Sequence, residues 1–158
     1  MATQYAFVTR WQIKAPLPQV WNVIEDSLNW PHWWKGVVAV TEEKKGDVSG
    51  IGSVRVYQWR SILPYQLAFH MELTGLEQYR YLKGKAYGEL EGEGEWFFEE
   101  RAGVTYVEYH WTVFTNKAWM NYFAFLLKPV FNYNHDVVMR WGAQGLARKL
   151  NAELISDQ

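Results

Sequence analysis

Hydrophobic and polar side chains alternate over residues 4–14, and this alternation predicts a β-strand near the start of the chain. Tyr5, Phe7, Trp11 and Ile13 share one face of that strand. The intervening positions include charged and amide side chains, which suit the opposite face. The pattern therefore predicts a strand that turns a row of rings towards the interior.

Two short helical segments are predicted after this strand. The segment A-P-L-P (15–18) ends the strand and begins a helix, because proline is favoured in the first helical turn. Val20, Trp21 and Ile24 give this helix an apolar stripe. The next segment, N-W-P-H-W-W-K-G (29–36), predicts a turn or a short helical piece that ends at its glycine.

The pattern then changes to short strands separated by turn residues. Glycine or proline lies between the apolar runs or at their ends. A sequential series of this kind is typical of an antiparallel meander. Six further strands are predicted, at 37–43, 52–60, 65–74, 79–90, 94–100 and 104–115.

A long amphipathic segment ends the chain. Residues 118–155 predict a helix that is broken or kinked at Pro129, with Phe131 on its apolar face. Gly142 and Gly145 on the same face would let the helix lie close to the sheet. The element order therefore predicts an α+β protein, in which a seven-stranded antiparallel sheet carries a long C-terminal helix across one face.

Turn lengths set the expected register between neighbouring strands. With a turn at 61–64, Arg60 lies opposite Tyr65 and Gln58 lies opposite Leu67, so both polar residues face inward at one end of the sheet. The partner strand has one clearly apolar face, which we expect to point inward: Tyr65, Leu67, Phe69, Met71 and Leu73.

The strand at 79–90 places small residues inward. The same counting across 75–78 turns Arg80, Gly84 and Ala86 to the inner face, where they meet rings. Either the glycines mark bulges or sheet curvature and the rings fill the space, or the small residues leave a ring-lined cavity. Both interpretations are open on this pattern. The inward rings of the other strands are Trp11, Trp96, Phe98, Tyr109 and Trp111.

Composition agrees with a ring-rich interior. The 158 residues include 10 Trp, 10 Tyr and 8 Phe, and at roughly 150–250 Å² per ring these supply a large share of the area that folding buries. The length fits one domain over residues 1–158. Without cysteine there is no disulfide framework and no thiolate metal site. A formal net charge of -1 gives no overall attraction to nucleic acid.

No segment predicts export or membrane insertion. The N-terminus lacks the apolar region of a signal peptide, and the longest apolar stretch, 119–131, is too short to span a bilayer. This stretch is poor in lysine and arginine, which favours a flap over a pocket mouth or core packing over contact with a membrane. We expect a cytoplasmic protein that is a monomer or a weak homodimer, with no nucleic-acid partner and no stable membrane insertion.

Sequence motifs for catalysis are mostly absent. There is no G-x-S-x-G, P-loop or H-E-x-x-H, and the four dispersed histidines predict no metal site. His135 lies near the middle of the apolar face of the last helix, with Asn134 at its edge. His135 is either a core histidine satisfied by one hydrogen bond or a proton-exchanging group that faces a cavity. A buried arginine needs a carboxylate, backbone carbonyls or a ligand, and this applies to the inward Arg60 and Arg80. The alternative for both is that the side chain reaches the sheet rim, which is the simpler explanation for Arg80.

Three motifs resemble those of a known superfamily. They are AP-x-x-x-VW-x-x-I-x-D…W-P-x-WW-x-G (15–36), A-x-G-x-L-x-G-x-G-x-W (86–96) and W-M…P-x-F-x-x-NH-x-x-VM-x-x-G-x-x-GL (119–146). In this order they resemble the polyketide cyclase/dehydrase branch of the START/Bet v 1-like (SRPBCC) superfamily, over nearly the whole chain. The resemblance implies a helix-grip fold, with a largely apolar cavity between the wrapped sheet and the long helix, and it raises the cavity interpretation above its alternative.

Two functions follow from the resemblance and the residues together. The first is a non-catalytic module that binds a hydrophobic small molecule, such as a lipid or a polyketide. The alternative is a polyketide cyclase/dehydratase whose walls fold a poly-β-keto chain, with His135, Arg60 or Tyr109 moving a proton or polarising a carbonyl. We favour binding because no inward acid–base pair is evident, and we expect no cofactor and no metal. The predicted ligand-binding residues are Trp11, Trp33, Gln58, Tyr65, Phe69, Arg80, Gly84, Ala86, Trp96, Phe98, Trp111, Phe131, Asn134 and Val138.

Overall fold

The strands of the described residues form one antiparallel sheet. The computed structural model describes residues 3–115 and 117–158. Within them the order across the sheet is β2-β3-β4-β5-β6-β7-β1-β8. The strands are β1 (Thr3–Lys14), β2 (Val37–Lys44), β3 (Val54–Arg60), β4 (Gln66–Glu77), β5 (Tyr81–Gly88), β6 (Leu90–Arg101), β7 (Val104–Thr115) and β8 (Glu153–Ser156).

Helices lie where the hydrophobic pattern predicts them. Helix α1 (Leu17–Glu25) buries the predicted stripe of Val20, Trp21 and Ile24, and a 3-10 helix (Ser27–His32) follows it. Helices α2 (Ala118–Tyr122) and α3 (Ala124–Lys149) come after β7. The two short helices after the first strand and the long C-terminal helix are thus confirmed. No helix in the described part of the chain is long and apolar enough to cross a membrane.

The C-terminal helix differs from prediction at both of its expected boundaries. The break falls at Phe123, whose ψ of 17° departs from helical geometry, and α3 continues through Pro129. Pro129 is the sixth residue of α3, so the helix lacks one intrahelical hydrogen bond there and continues past it. At the other end, Asn151 adopts a left-handed φ of 50° and ends the helix before residue 155.

An eighth strand corrects the expected count of seven. Residues after Asn151 pair with β1 as β8, with Leu154 opposite Ile13. The expected helix to residue 155 is therefore wrong over its last six positions. The alternating exposure of β8 residues is the period of a strand, and it was too short to separate from a fraying helix in the sequence.

The predicted register between β3 and β4 is wrong by one residue. Arg60 lies opposite Gln66, and Trp59 lies opposite Leu67. The loop is one residue longer than the predicted turn, so every side chain of β3 moves to the other face. Arg60 and Gln58 are exposed, while Arg55, Tyr57 and Trp59 turn inward.

Two glycines bring α3 against the chain that follows the 3-10 helix, rather than against the sheet as predicted. A Cβ at Gly145 would lie 1.8 Å from the Trp33 carbonyl oxygen, and one at Gly142 would lie 2.4 Å from the Trp34 ring. The Trp34 indole donates a hydrogen bond of 2.9 Å to the Val138 carbonyl. This contact holds a buried tryptophan at one end of the space between helix and sheet.

Candidate functional site

A cavity of about 510 Å³ lies between the inner face of the sheet and α3. Its volume falls in the range of small-molecule sites. Strands β1 to β7 supply most of its wall, α3 supplies the opposite side, and the 3-10 helix region closes one end. The rings that line it are Tyr5, Phe7, Trp30, Trp34, Tyr57, Trp59, Tyr65, Phe69, Trp96, Tyr109, Trp111 and Phe131.

Ten of the predicted site residues line this cavity. They come from four strands, from α3 and, for Tyr65, from the loop just before β4. Their common property is that the pleat or the helix face turns them to the same interior space. They are Tyr65, Phe69, Gly84, Trp96, Tyr109, Trp111, Phe131, Asn134, His135 and Val138.

The other predicted residues lie outside the cavity wall. Trp11, Trp33, Ala86 and Phe98 are buried in the surrounding core and pack against other side chains. Three polar predictions are exposed: Arg60, Gln58 and Arg80. The first two follow from the register error. Arg80 lies before β5 and forms an exposed ion pair with Glu77 at 3.5 Å. This is the position at the sheet rim that was the simpler of its two explanations.

Both interpretations of the small residues in β5 hold in part. Gly84 lines the cavity, but a Cβ there would lie 2.7 Å from the Met71 methyl group, so a neighbouring side chain occupies part of the space. Ala86 is only 1% exposed and packs tightly. In β6, a Cβ at Gly94 would lie 2.6 Å from the Tyr109 hydroxyl. Gly94 therefore leaves room for this hydroxyl at the wall.

A polar cluster that the sequence reasoning missed occupies the cavity wall at Arg55. The Arg55 Nη1 donates to Ser27 Oγ at 2.7 Å, and the Tyr57 hydroxyl donates to the same oxygen at 2.7 Å. The Arg55 Nε lies 3.6 Å from a Glu42 carboxylate oxygen, beyond hydrogen-bond length. Strand β3 carries apolar residues on both faces (V-R-V-Y-Q-W-R), so its alternation alone did not reveal the inward arginine.

His135 lies at the cavity wall with its ring stacked on Phe7, at 3.9 Å between centroids. Burial disfavours the charged imidazolium and lowers the pKa of His135 to about 4. The imidazole is therefore neutral at pH 7. A neutral imidazole with this pKa is a weak base, and it is better suited to hydrogen bonding than to proton abstraction.

Two tyrosines supply neutral hydroxyl groups to the cavity. Desolvation raises the pKa values of Tyr57 and Tyr109 above their ordinary range, so both side chains remain protonated near neutral pH. Tyr57 is engaged with Ser27. Tyr109 stacks on Trp96 at 4.1 Å, which fixes its ring and leaves its hydroxyl as a donor beside Gly94.

Several buried polar atoms of the lining residues lack a partner within the described chain. A buried polar group without a hydrogen-bond partner costs roughly 1–3 kcal/mol of stability. Each such atom therefore favours a ligand that supplies the missing hydrogen bond. His135 and Asn134 are adjacent on α3, and their free atoms come from the same side of the cavity. These atoms are Tyr5 Oη, Trp59 Nε1, Asn134 Oδ1 and His135 Nδ1.

The described residues contain no cluster of three or more His, Asp or Glu side chains arranged to hold a metal ion. The charged pairs near the sheet are surface pairs, such as His70 with Glu43 at 2.7 Å and His110 with Glu108 at 3.3 Å. The cavity lining offers hydrogen-bonding groups, aromatic surface and the Arg55 guanidinium. It also includes six other charged side chains, four of them exposed: Glu25, Glu42, Lys45, Asp47, Glu72 and Lys83.

Solved structures with a similar fold include an aromatase/cyclase. The Zhui aromatase/cyclase from Streptomyces sp. R1128 has a TM-score of 0.75 and 12% identity, with 94% of each chain covered. TTHA0849 from Thermus thermophilus has a TM-score of 0.71 and 14% identity, with 92% of this chain and 99% of that chain covered. Ara h 8.0201 has a TM-score of 0.55 and 13% identity, with 73% and 82% covered.

No family model matches the chain, and no curated protein matches it significantly. The structural likeness is to an α+β fold with a large antiparallel sheet and a C-terminal helix. At these identities it identifies the fold. The α+β architecture implied by the three sequence motifs is therefore confirmed in outline, with eight strands in place of seven.

Proposed function

We propose that this protein binds a hydrophobic, ring-containing small molecule in the cavity between the sheet and α3. The observation that carries the proposal is a cavity of about 510 Å³ lined by rings, with unpartnered polar atoms at its wall. Apolar surface supplies most of the binding free energy in such sites, and a few polar groups set orientation. The preferred ligand carries a hydrogen-bond acceptor for Arg55, whose charge is already paired with Glu42 at 3.6 Å, and a second polar group for the Asn134 side.

A cavity-filling substitution tests this proposal with a matched control on the same helix. Val138 is buried at the cavity wall, and Val130 is 42% exposed. We expect Val138→Trp to abolish high-affinity binding of the aromatic anion 8-anilino-1-naphthalenesulfonate, while Val130→Trp retains it. If the dye binds only to the outer surface, both variants will bind equally, and the proposal is wrong.

The natural ligand can be sought directly. Native mass spectrometry of freshly purified protein should detect an added mass that is absent from the Val138→Trp variant. Organic extraction then identifies the compound. An unliganded mass for every preparation, together with unchanged dye binding in Val138→Trp, would contradict a ligand-binding cavity.

The second candidate is cyclisation or dehydration of a bound poly-β-keto chain. It is favoured by the Tyr109 hydroxyl, which stays protonated and lies at the wall as a donor to a substrate carbonyl. The neutral His135 supplies a second hydrogen-bonding group nearby. The likeness to the Zhui aromatase/cyclase adds support at the level of the fold.

Turnover separates this candidate from binding alone. We expect Tyr109→Phe to lower turnover of a model polyketide at least tenfold without loss of ligand binding, because one donor to the developing oxyanion is lost. Arg60→Met, on the outer face, is the control and should leave turnover unchanged. Absence of any turnover by the wild-type protein leaves the binding function as the conclusion.

A further inference from the structure

An exposed aromatic patch covers α2 and the first half of α3. We call it the aromatic patch. Its two most exposed rings, Tyr122 at 78% and Phe125 at 79%, flank the helix break at Phe123. Its members are Trp119, Tyr122, Phe123, Phe125, Leu126, Val130 and Tyr133.

The patch lies at the upper end of the largest apolar patches found on monomers, which cover about 300–600 Å². The exposed fractions of its five rings add up to about three fully exposed rings, or roughly 600 Å² at ~200 Å² each. Scattered single exposed apolar residues are ordinary, but contiguous patches above a few hundred Å² mark interaction sites. Core packing, one expectation for residues 119–131, therefore does not describe the outer side of this segment.

The inner side of the same segment is already occupied. Met120 and Phe131 are buried and line the cavity, and Leu127 packs against the same core cluster. The outer rings have no space to turn inward, because these side chains fill the inner face. The segment is thus a wall with the cavity on one side and the aromatic patch on the other.

Charge and residue type decide what covers the patch. Residues 117–135 contain no aspartate or glutamate. Lys117 pairs with Glu89 at 2.9 Å, and Lys128 is exposed beside the patch. Tryptophan and tyrosine favour the interface between lipid and water, and a lysine beside them can reach the headgroups.

We propose that the aromatic patch docks reversibly on the surface of a phospholipid bilayer. Tyr122 and Phe125 enter the interfacial region, and Lys128 contacts anionic headgroups. The scarcity of lysine and arginine, which by itself disfavours membrane contact, leaves only a small electrostatic contribution. The exposed rings outweigh it, so apolar contact dominates docking and salt weakens docking only slightly. Docking does not depend on the proposed ligand function, although it brings the cavity wall next to the lipid.

Vesicle co-sedimentation of the full chain tests this proposal. The vesicles contain phosphatidylcholine and phosphatidylglycerol in a 4:1 ratio. We expect the double variant Y122S/F125S to bind at least tenfold more weakly than wild type. The matched control Y87S/F97S removes one tyrosine and one phenylalanine that are 39% and 37% exposed elsewhere, and it should bind like wild type. Equal loss in both variants, or no binding by wild type, overturns the proposal.

Two further measurements separate docking from its rivals. Analytical ultracentrifugation without lipid should show the same mass for wild type and Y122S/F125S. If wild type is instead a dimer that this double variant dissociates, a second copy covers the patch and the proposal is overturned. Val138→Trp should still bind vesicles, so failure of ligand binding and failure of docking are distinguishable.

Discussion

Gly145→Ala perturbs the contact that holds α3 against the 3-10 helix region. The added Cβ would lie 1.8 Å from the Trp33 carbonyl oxygen and 2.9 Å from its carbonyl carbon. Ordinary contact begins near 3.4 Å, and the obstacle is backbone, so one of the two segments must move by more than 1 Å. Replacing glycine by alanine in an open helix gains about 1 kcal/mol, but overpacking a core costs about 1–3 kcal/mol or more.

We expect a net loss of about 2 kcal/mol in the free energy of unfolding, because a backbone clash belongs at the upper end of that range. For a chain of this length the loss lowers Tm by roughly 4–8 °C. The movement of the backbone should also weaken ligand binding, because Trp34, next to the displaced Trp33, lines the cavity. Urea unfolding followed by circular dichroism gives the free energy directly.

The control for this experiment is Gln144→Ala, on the exposed side of the same helical turn. It should change stability by no more than about 0.5 kcal/mol. If Gly145→Ala unfolds at the same urea concentration as wild type or higher, the close approach of α3 to Trp33 does not exist as described, and the reasoning is refuted.

Two other predictions concern the cavity. His135 has a folded pKa of about 4 against about 6.5 in the unfolded chain, so between these values only the unfolded state binds the proton. The free energy of unfolding should therefore fall by up to about 3 kcal/mol as pH drops from 7 to 4, and His135→Gln should remove that part of the decline; identical pH profiles would contradict the burial of this imidazole. Arg55→Met should weaken binding of 8-anilino-1-naphthalenesulfonate about tenfold, since a hydrogen bond to a charged group contributes about 1.5–3 kcal/mol. Arg60→Met should leave binding of this dye unchanged. If Arg60→Met weakens dye binding and Arg55→Met does not, the register predicted from sequence is the right one.

The elements of the fold were predictable because their patterns are local. Alternation over β1, the proline-initiated α1 and the apolar face of α3 each depend on a few neighbouring residues. The inward face of β4, from Tyr65 to Leu73, was assigned correctly for the same reason. The short β8 was missed because four residues carry too little periodicity, and the left-handed Asn151 before it is a single-residue event.

Part of the polar lining of the cavity was not predictable. His135, Asn134 and Tyr109 lie at the cavity wall, since each sits on an element whose inward face its own pattern defines, and their roles stay predictions. Arg60 rather than Arg55 was predicted to face inward, because β3 is apolar on both faces and the loop before β4 is one residue longer than predicted. The Ser27 hydroxyl that accepts the hydrogen bond from Arg55 lies 28 residues earlier in the chain, and no local pattern links the two residues.

The sequence by itself determined the order of β1 to β7 and of the helices that flank them, the number of rings and the side of most strands that faces inward. Only the tertiary structure decided which arginine enters the cavity and that α3 packs closely on Trp33. It also decided that the rings of the aromatic patch remain exposed on the surface. The physical reason is that faces within one element follow from its own period, whereas register, close approach and exposed surface depend on how distant segments share the same space.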